Sequence, residues 1–229
     1  MDKVAELHRS MSVGKGCISI SDADSDTLER FDALKTLKHF IVQKKTSMDY
    51  FSWSNVTHEV LDPRKNVLFR ATRPKSFLTK PKDKIIVRNL RNTELFRLVI
   101  EPTNNLDGTK TEATIYIYPK CKIAHVEIYG GVYSQRSYEI FNKGGQIAFT
   151  IDPVVNKTGN SMMIEYDVST KTGNLANIMM KTGLNCILST DECANVLEKS
   201  TLIAVVLGMD LLKNRSTGKV PSRNQYAIH

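Results

Sequence analysis

The segment from Leu202 to Met209 constrains the fold of this chain more than any other part of its sequence. Its eight residues are apolar on every face of a helix, with Glu198 and Lys199 shortly before it and Asp210 directly after it. A helix that is apolar all round belongs in a protein core or in a bilayer. A membrane-spanning helix needs about 20 apolar residues, so we interpret this segment as a helix buried within the protein.

The chain before this segment consists of short β-branched or aromatic runs joined in pairs by turn residues, which is the pattern of successive hairpins. In the first pair, Pro63 restricts φ at the turn, and Asp62 can accept a hydrogen bond from the backbone that follows it. A further strand is predicted around 40–42. The five predicted hairpins span residues 58–70, 85–98, 114–128, 138–149 and 163–178.

Two of these hairpins indicate an internal duplication. His58-Glu59-Val60 aligns with Tyr138-Glu139-Ile140 at an offset of 80 residues, and Phe69 matches Phe149 at the same offset. Repeats of this kind indicate that one structural unit occurs twice.

Ten or more strands expose edges that promote aggregation unless the sheet closes on itself. We therefore predict a mainly β protein, a closed antiparallel barrel with the C-terminal helix at its centre, and a two-sheet sandwich is the alternative. Ser189 and Glu192 fit a capping box at the start of the helix. Gly208 would allow the helix to pass close to a strand. The residues assigned to the central helix are Leu202, Ile203, Val205, Val206, Leu207 and Leu211.

Charge and periodicity divide the chain into three parts. Residues 1–30 contain six acidic and four basic residues without apolar periodicity, and we predict that they are mostly disordered. The barrel domain is expected over 31–213. A short helix is predicted to lead into its first strand, because Leu28, Phe31, Leu34 and Leu37 recur at helical spacing. Residues 214–229 form a basic tail.

The chain carries a formal net charge of +8, which predicts attraction to polyanions: anionic lipid, nucleic acid or acidic protein. Basic residues are dense in the first hairpin and in the loop after it, and we take them as the candidate site for anionic headgroups. Nucleic acid is the alternative partner, because Tyr50, Phe51 and Trp53 could stack on bases. The candidate residues are Arg64, Lys65, Arg70, Arg73, Lys75, Lys80, Lys82 and Lys84.

The sequence contains no arrangement typical of a catalytic centre. Its five histidines are scattered without metal-ligand spacing, and no nucleophile can be matched with a base. The four cysteines are too sparse for a disulfide framework, and the N-terminus lacks the apolar core of a signal peptide. We therefore expect a cytoplasmic protein without covalent chemistry and without a cofactor.

The order of elements resembles the phospholipid scramblase branch of the Tubby-like superfamily over roughly residues 31–213. The residues that carry this resemblance occur in the predicted strands and in the C-terminal helix, where a basic residue is followed by small and apolar residues and a glycine. These segments are Thr36–Gln43, Glu59–Asp62, Val67–Ala71, Glu94–Leu98, Glu139–Gly145 and Lys199–Leu212.

The resemblance implies a 12-stranded barrel around a central helix, association with the cytosolic face of a membrane, and anionic phospholipid as ligand. It also implies a calcium-responsive movement of lipids. The acidic calcium segment of the family is reduced here to Thr190-Asp191-Glu192, and its two carboxylates fall short of the six to eight oxygens that calcium takes. The family's cysteine cluster for lipid attachment and its proline-rich N-terminus are also absent. We therefore expect a peripheral, lipid-associated protein, and these departures speak against lipid translocation. Asp191 and Glu192 are the candidate calcium ligands. The other reading is a non-enzymatic interaction scaffold, oligomeric or nucleic-acid binding.

Overall fold

The computed structural model describes residues 31–45, 56–74, 83–101, 110–118, 121–130, 136–154, 163–181 and 185–216. These residues form a short helix α1, twelve strands and a long helix α2. The helices are α1 (Asp32–Thr36) and α2 (Val196–Ser216). The first six strands are β1 (His39–Lys44), β2 (Val56–Leu61), β3 (Val67–Thr72), β4 (Asp83–Asn89), β5 (Glu94–Ile100) and β6 (Lys110–Ile117). The other six are β7 (Cys121–Tyr129), β8 (Ser137–Asn142), β9 (Ile147–Pro153), β10 (Met163–Thr170), β11 (Gly173–Lys181) and β12 (Asn185–Thr190).

The twelve strands form one closed antiparallel barrel. Each strand pairs with its neighbours in the chain, and β1 closes the ring by pairing with β12, for instance Phe40 with Leu188. Closure leaves every strand hydrogen-bonded on both sides, which removes the exposed edges of an open sheet. The prediction of a mainly β, closed antiparallel barrel is confirmed, and the sandwich alternative is wrong.

The barrel interior is filled by alternate side chains of the strands and by α2. On β4, for example, Ile85 and Val87 belong to the core, whereas Lys84 and Arg88 alternate with them and are only partly buried. Successive side chains of a strand point to opposite faces of the sheet. The strands therefore place one apolar series inside the barrel and one mainly polar series on its outer surface.

Helix α2 is buried in this core, as its apolar sequence predicts. Its side chains at Leu202, Ile203, Val205, Val206 and Leu207 are almost completely inaccessible, and Leu211 lies further along the same helix. The helix continues to Ser216, beyond the expected end of the barrel domain at residue 213. No helix within the described ranges is both long enough and apolar enough to span a membrane.

The capping box predicted at Ser189 and Glu192 is wrong, because both residues precede the helix start. Ser189 belongs to β12, and the carboxylate of Glu192 forms an ion pair with Lys38. The box is instead formed by Asn195, whose side-chain oxygen accepts hydrogen bonds from the backbone N–H groups of Leu197 (2.9 Å) and Glu198 (3.0 Å). The Glu198 carboxylate accepts from the Asn195 N–H at 2.8 Å, so the reciprocal pattern lies six residues later.

The two hairpins aligned at an offset of 80 residues have the same strand register. Val60 pairs with Phe69 in the first hairpin, and Ile140 pairs with Phe149 in the fourth. The register of both hairpins shifts at the next residue, Leu61 and Phe141 respectively. The same one-residue shift also occurs in the other three hairpins, so it does not single out this pair, and the duplication stays a prediction.

The two ends of the barrel differ in how their strands are connected. At one end, the hairpin end, the strand pairs β2–β3, β4–β5, β6–β7, β8–β9 and β10–β11 are joined by short turns. Helix α2 begins at this end, beside α1. The connections at the opposite end, the loop end, extend beyond the described residues, apart from the point where α2 leaves the barrel.

Helix α1 is held over the hairpin end by a buried lysine of α2. The Lys199 ammonium donates hydrogen bonds to the backbone carbonyl oxygens of Leu34 and Leu37, each at 2.9 Å. The Phe31 ring lies 6.4 Å from the ring of Phe96 on β5, measured between centroids. These contacts confirm the short helix predicted before the first strand.

Candidate anion-binding face

The interior of the barrel has no room for a ligand in the region where α2 faces β5–β8. A cavity there has a volume of about 10 Å³, which is enough for one water molecule at most. Apolar side chains line it, among them Leu98, Val126 and Val205.

The eight basic residues singled out in the sequence do not form one cluster in the fold. Arg64 and Lys65 are exposed in the β2–β3 turn at the hairpin end, whereas Arg73 follows β3 at the loop end. The six residues of β3 lie between them, a length of about 20 Å. Arg70 and Lys84 lie on the outer surface of β3 and β4. Lys75, Lys80 and Lys82 lie outside the described residues, as do Tyr50, Phe51 and Trp53.

Two arginines face each other on the outer surface of neighbouring strands. Arg70 of β3 is the direct cross-strand partner of Arg88 of β4. Like charges in directly opposed positions destabilise a sheet unless other groups compensate for them. The Nε atom of Arg70 lies 3.7 Å from a carboxylate oxygen of Glu59. Arg88 donates a hydrogen bond of 2.8 Å to the hydroxyl of Thr72. Arg88 thus has a neutral partner at close range, and its direct cross-strand partner on β5 is Glu94.

Two further cations extend this group along β4 and β5. Arg97 forms a 2.5 Å ion pair with Glu94 on its own strand. Partial burial lowers the pKa of Lys84, the positive charge of Arg97 lowers it further, and Glu94 opposes the shift. Burial is the largest of these causes, and Arg88 also lowers the pKa, so Lys84 lies close to two arginines of the same surface.

We call the surface formed by Arg70, Lys84, Arg88 and Arg97 the cationic face. Its four cations face two carboxylates, those of Glu59 and Glu94, and Glu59 also pairs with Lys45 at 3.3 Å. The excess of positive charge on a rigid sheet can hold phosphate or carboxylate groups, and arginine does so with paired N–H donors.

Sequence reasoning found Arg70 and Lys84 but missed Arg88 and Arg97. The alternation of Lys84, Ile86 and Arg88 along β4 would have placed Lys84 and Arg88 on one face. Their proximity to Arg70 and Arg97 depends on the register between strands, which the sequence does not show directly.

The residues considered for calcium occupy the connection between β12 and α2. A side-chain oxygen of Asp191 accepts a hydrogen bond from the backbone N–H of Cys193 at 3.1 Å. Glu192 is engaged with Lys38. Calcium binding at these two residues stays a prediction.

A group with metal-ligating side chains lies on the outer surface of β6 and β7. Ligand atoms of Glu112, His125 and Glu127 lie within 4.8 Å of one another. The Lys110 ammonium lies 3.0 Å from Glu127 and 3.3 Å from Glu112. Because a lysine already occupies the cation position between the two carboxylates, we interpret the group as an ion-pair cluster on the barrel surface.

Comparisons with known proteins concern the fold. No protein-family model matches the sequence, and no curated protein is significantly similar to it. The structure is similar to the X-ray structure of a protein from Arabidopsis thaliana, with a TM-score of 0.45 and 10% identity. The similarity covers 75% of this chain and 91% of that chain. These comparisons assign no function to the chain.

Proposed function

We propose that this chain is a peripheral protein of the cytosolic membrane surface that binds anionic phospholipid, and that it is a divergent relative of the phospholipid scramblases and Tubby-like proteins. The observation that carries the proposal is the cationic face, where Arg70 and Arg88 are directly opposed and Lys84 lies close to Arg88 and Arg97. The motifs quoted for the family support the same reading.

The mechanism is electrostatic docking without covalent chemistry. Each basic residue near an anionic leaflet contributes about 1 kcal/mol of binding, and this contribution decreases beyond a Debye length. The cations of the cationic face are held on three neighbouring strands, β3 to β5. Lipid headgroups can therefore approach several of them without a rearrangement of the protein.

The experiment is co-sedimentation of the full chain with phosphatidylcholine vesicles that contain or lack phosphatidylserine. We expect binding to the anionic vesicles at about 0.1 M salt and its loss towards about 1 M, where the Debye length is near 3 Å. Equal binding to neutral vesicles at high salt would contradict the proposal.

A pair of charge variants locates the docking surface. Lys84→Gln combined with Arg88→Gln removes two charges from the cationic face, and we expect binding to weaken by about 30-fold, equivalent to about 2 kcal/mol. Lys171→Gln combined with Lys181→Gln removes two exposed charges bordering β11, on the far side of the ring. If both double variants bind equally well, the cationic face is not the docking surface.

Further measurements address the remaining alternatives. Repeating the sedimentation with and without calcium, using Asp191→Asn and Glu192→Gln, tests the calcium prediction. Labelled lipid in both leaflets of the vesicles reports translocation. A gel shift with nucleic acid and a light-scattering mass test the scaffold alternative, which a stable oligomer that ignores vesicles would favour.

A further inference from the structure

Apolar side chains are exposed at the tips of consecutive hairpins. Among the described residues five large hydrophobic side chains are exposed, and three of them lie at the hairpin end. Leu90 is 56% exposed in the β4–β5 turn, Tyr118 is 44% exposed after β6, and Ile147 is 36% exposed at the start of β9. Single exposed apolar residues are normal, but these three are on successive hairpins of one rim.

The spacing of the strands places these tips close together. Neighbouring strands in a sheet are about 4.8 Å apart, so turns that are two strands apart lie about 10 Å from each other along the rim. The arc from the β2–β3 turn to the β6–β7 turn is therefore about 20 Å long. We call this arc the hairpin rim.

Cations flank the apolar tips. Arg64 and Lys65 lie in the β2–β3 turn and Arg91 follows Leu90, and all three are exposed. None of them forms an ion pair with a described carboxylate. The nearby carboxylate of Asp62 is used within its own turn, where it accepts hydrogen bonds from Asn66. The rim thus combines projecting apolar groups with exposed cations, of which Arg64 also interacts electrostatically with the Asp62 carboxylate.

This combination distinguishes a lipid surface from other polyanions. Apolar tips gain free energy when they leave water for the acyl boundary, whereas cations beside them remain with the anionic headgroups. Bases could stack on Tyr118, but a nucleic acid offers no apolar layer for Leu90.

We propose that the hairpin rim inserts Leu90 and Tyr118 into the headgroup–acyl boundary of an anionic membrane, with Arg64, Lys65 and Arg91 on the phosphates. The inference rests on the proposed function and deepens it, because it names which end of the barrel faces the bilayer. The cationic face borders this rim, since the β2–β3 and β4–β5 turns connect the strands that carry it.

The test places the single tryptophan of the chain at chosen positions. In a Trp53→Phe background, Leu90→Trp and Tyr118→Trp report the rim, and Ile187→Trp is the control. Ile187 is 39% exposed in the middle of β12, six strands from β6 around the ring. The probe is phosphatidylcholine–phosphatidylserine vesicles containing brominated lipid, which quenches tryptophan at acyl depth.

We expect quenching and a blue shift at residues 90 and 118 but not at residue 187. Co-sedimentation without quenching at 90 and 118 would overturn the insertion and leave the lipid-binding proposal intact. Absence of wild-type binding to any anionic vesicle would overturn both. Equal quenching at all three positions would also reject the rim, because it indicates no preferred orientation.

A second pair of variants gives an independent measurement. Leu90→Ser combined with Tyr118→Ser should weaken vesicle partitioning by about tenfold or more, while the salt dependence keeps its slope. Both side chains are exposed, so folding should be preserved, and circular dichroism checks this. Unchanged partitioning of the folded variant would overturn the insertion.

Discussion

Gly208 of α2 passes so close to Leu98 of β5 that a β-carbon at residue 208 would lie 2.7 Å from the Leu98 Cδ2 atom. No real β-carbon makes a contact this short, so either Leu98 or the helix would have to move. The small cavity lined by Leu98 and Gly208 lies beside this contact and offers Leu98 limited room. The fit of the helix in the barrel depends on this contact.

We expect Gly208→Ala to change the free energy of unfolding little. The higher helix propensity of alanine, about 1 kcal/mol, opposes the displacement of Leu98. Gly208→Leu should destabilise the protein by about 2–4 kcal/mol, because the added side chain overpacks the core. Urea unfolding measures both changes. Adding Leu98→Ala should recover part of the loss in Gly208→Leu, and strictly additive effects would contradict the contact.

Lys199 fixes α1 over the hairpin end, and its burial lowers the pKa of its ammonium group. Lys199→Met leaves the carbonyl oxygens of Leu34 and Leu37 without these donors. We expect a loss of about 2–4 kcal/mol in the free energy of unfolding and faster proteolysis around α1. The matched control is Lys35→Met, which removes only an exposed ion pair with Asp32 and should cost less than about 1 kcal/mol. A Lys199→Met protein as stable as the control would contradict this anchoring.

Asp210 ties the C-terminal part of α2 to the loop end of the barrel. Its carboxylate lies 3.1 Å from His58 Nε2 and 3.2 Å from the Lys44 ammonium. The hydrogen bond from His58 is the main cause that lowers the pKa of Asp210 from 3.8 to about 2, and Lys44 contributes to it.

A lowered carboxyl pKa stabilises the fold above the unfolded pKa of 3.8, and this stabilisation disappears as the pH falls through about 2. We expect Asp210→Asn to be less stable than the wild type by about 1–2 kcal/mol at pH 6, with the difference vanishing between pH 4 and pH 2. Denaturant unfolding across this range measures it. Asp32→Asn, at an exposed site, is the control, and a difference that persists at pH 2 would contradict the assignment to Asp210.

The repeated turns predict opposite effects of glycine at two positions separated by 80 residues. Lys65 and Gly145 are the equivalent residues of the β2–β3 and β8–β9 turns, and their φ angles are 67° and 75°. Side chains other than glycine cost about 1 kcal/mol in this region.

We therefore expect Lys65→Gly to stabilise the protein by up to about 1 kcal/mol and Gly145→Ala to destabilise it by a similar amount. Thermal unfolding measures both substitutions. Effects of the same sign would show that the two turns are not equivalent.

Local patterns were sufficient for the elements but not for the start of the helix. The turn residues Asp62 and Asn142 predicted their hairpins because each side chain accepts a hydrogen bond from the backbone four residues later. The predicted capping box was Ser189 with Glu192, whereas the structure forms it at Asn195 with Glu198. The pairing of Ser189 with His39 across β1 and β12 decides between them, because a residue held in a strand cannot cap a helix.

The sequence by itself determined that this chain is mainly β, that its strands come as successive hairpins, and that the helix from Val196 to Ser216 has an apolar stretch requiring burial. Periodicity, turn chemistry and the length of an apolar stretch are local properties, because each can be recognised within a single segment of the chain. Only the tertiary structure decided that Arg70 meets Arg88, that Arg64 and Lys65 belong to a different end from Arg73, and that Leu90 and Tyr118 share a rim. Those relations depend on the register and closure of the barrel, which bring together residues far apart in the chain.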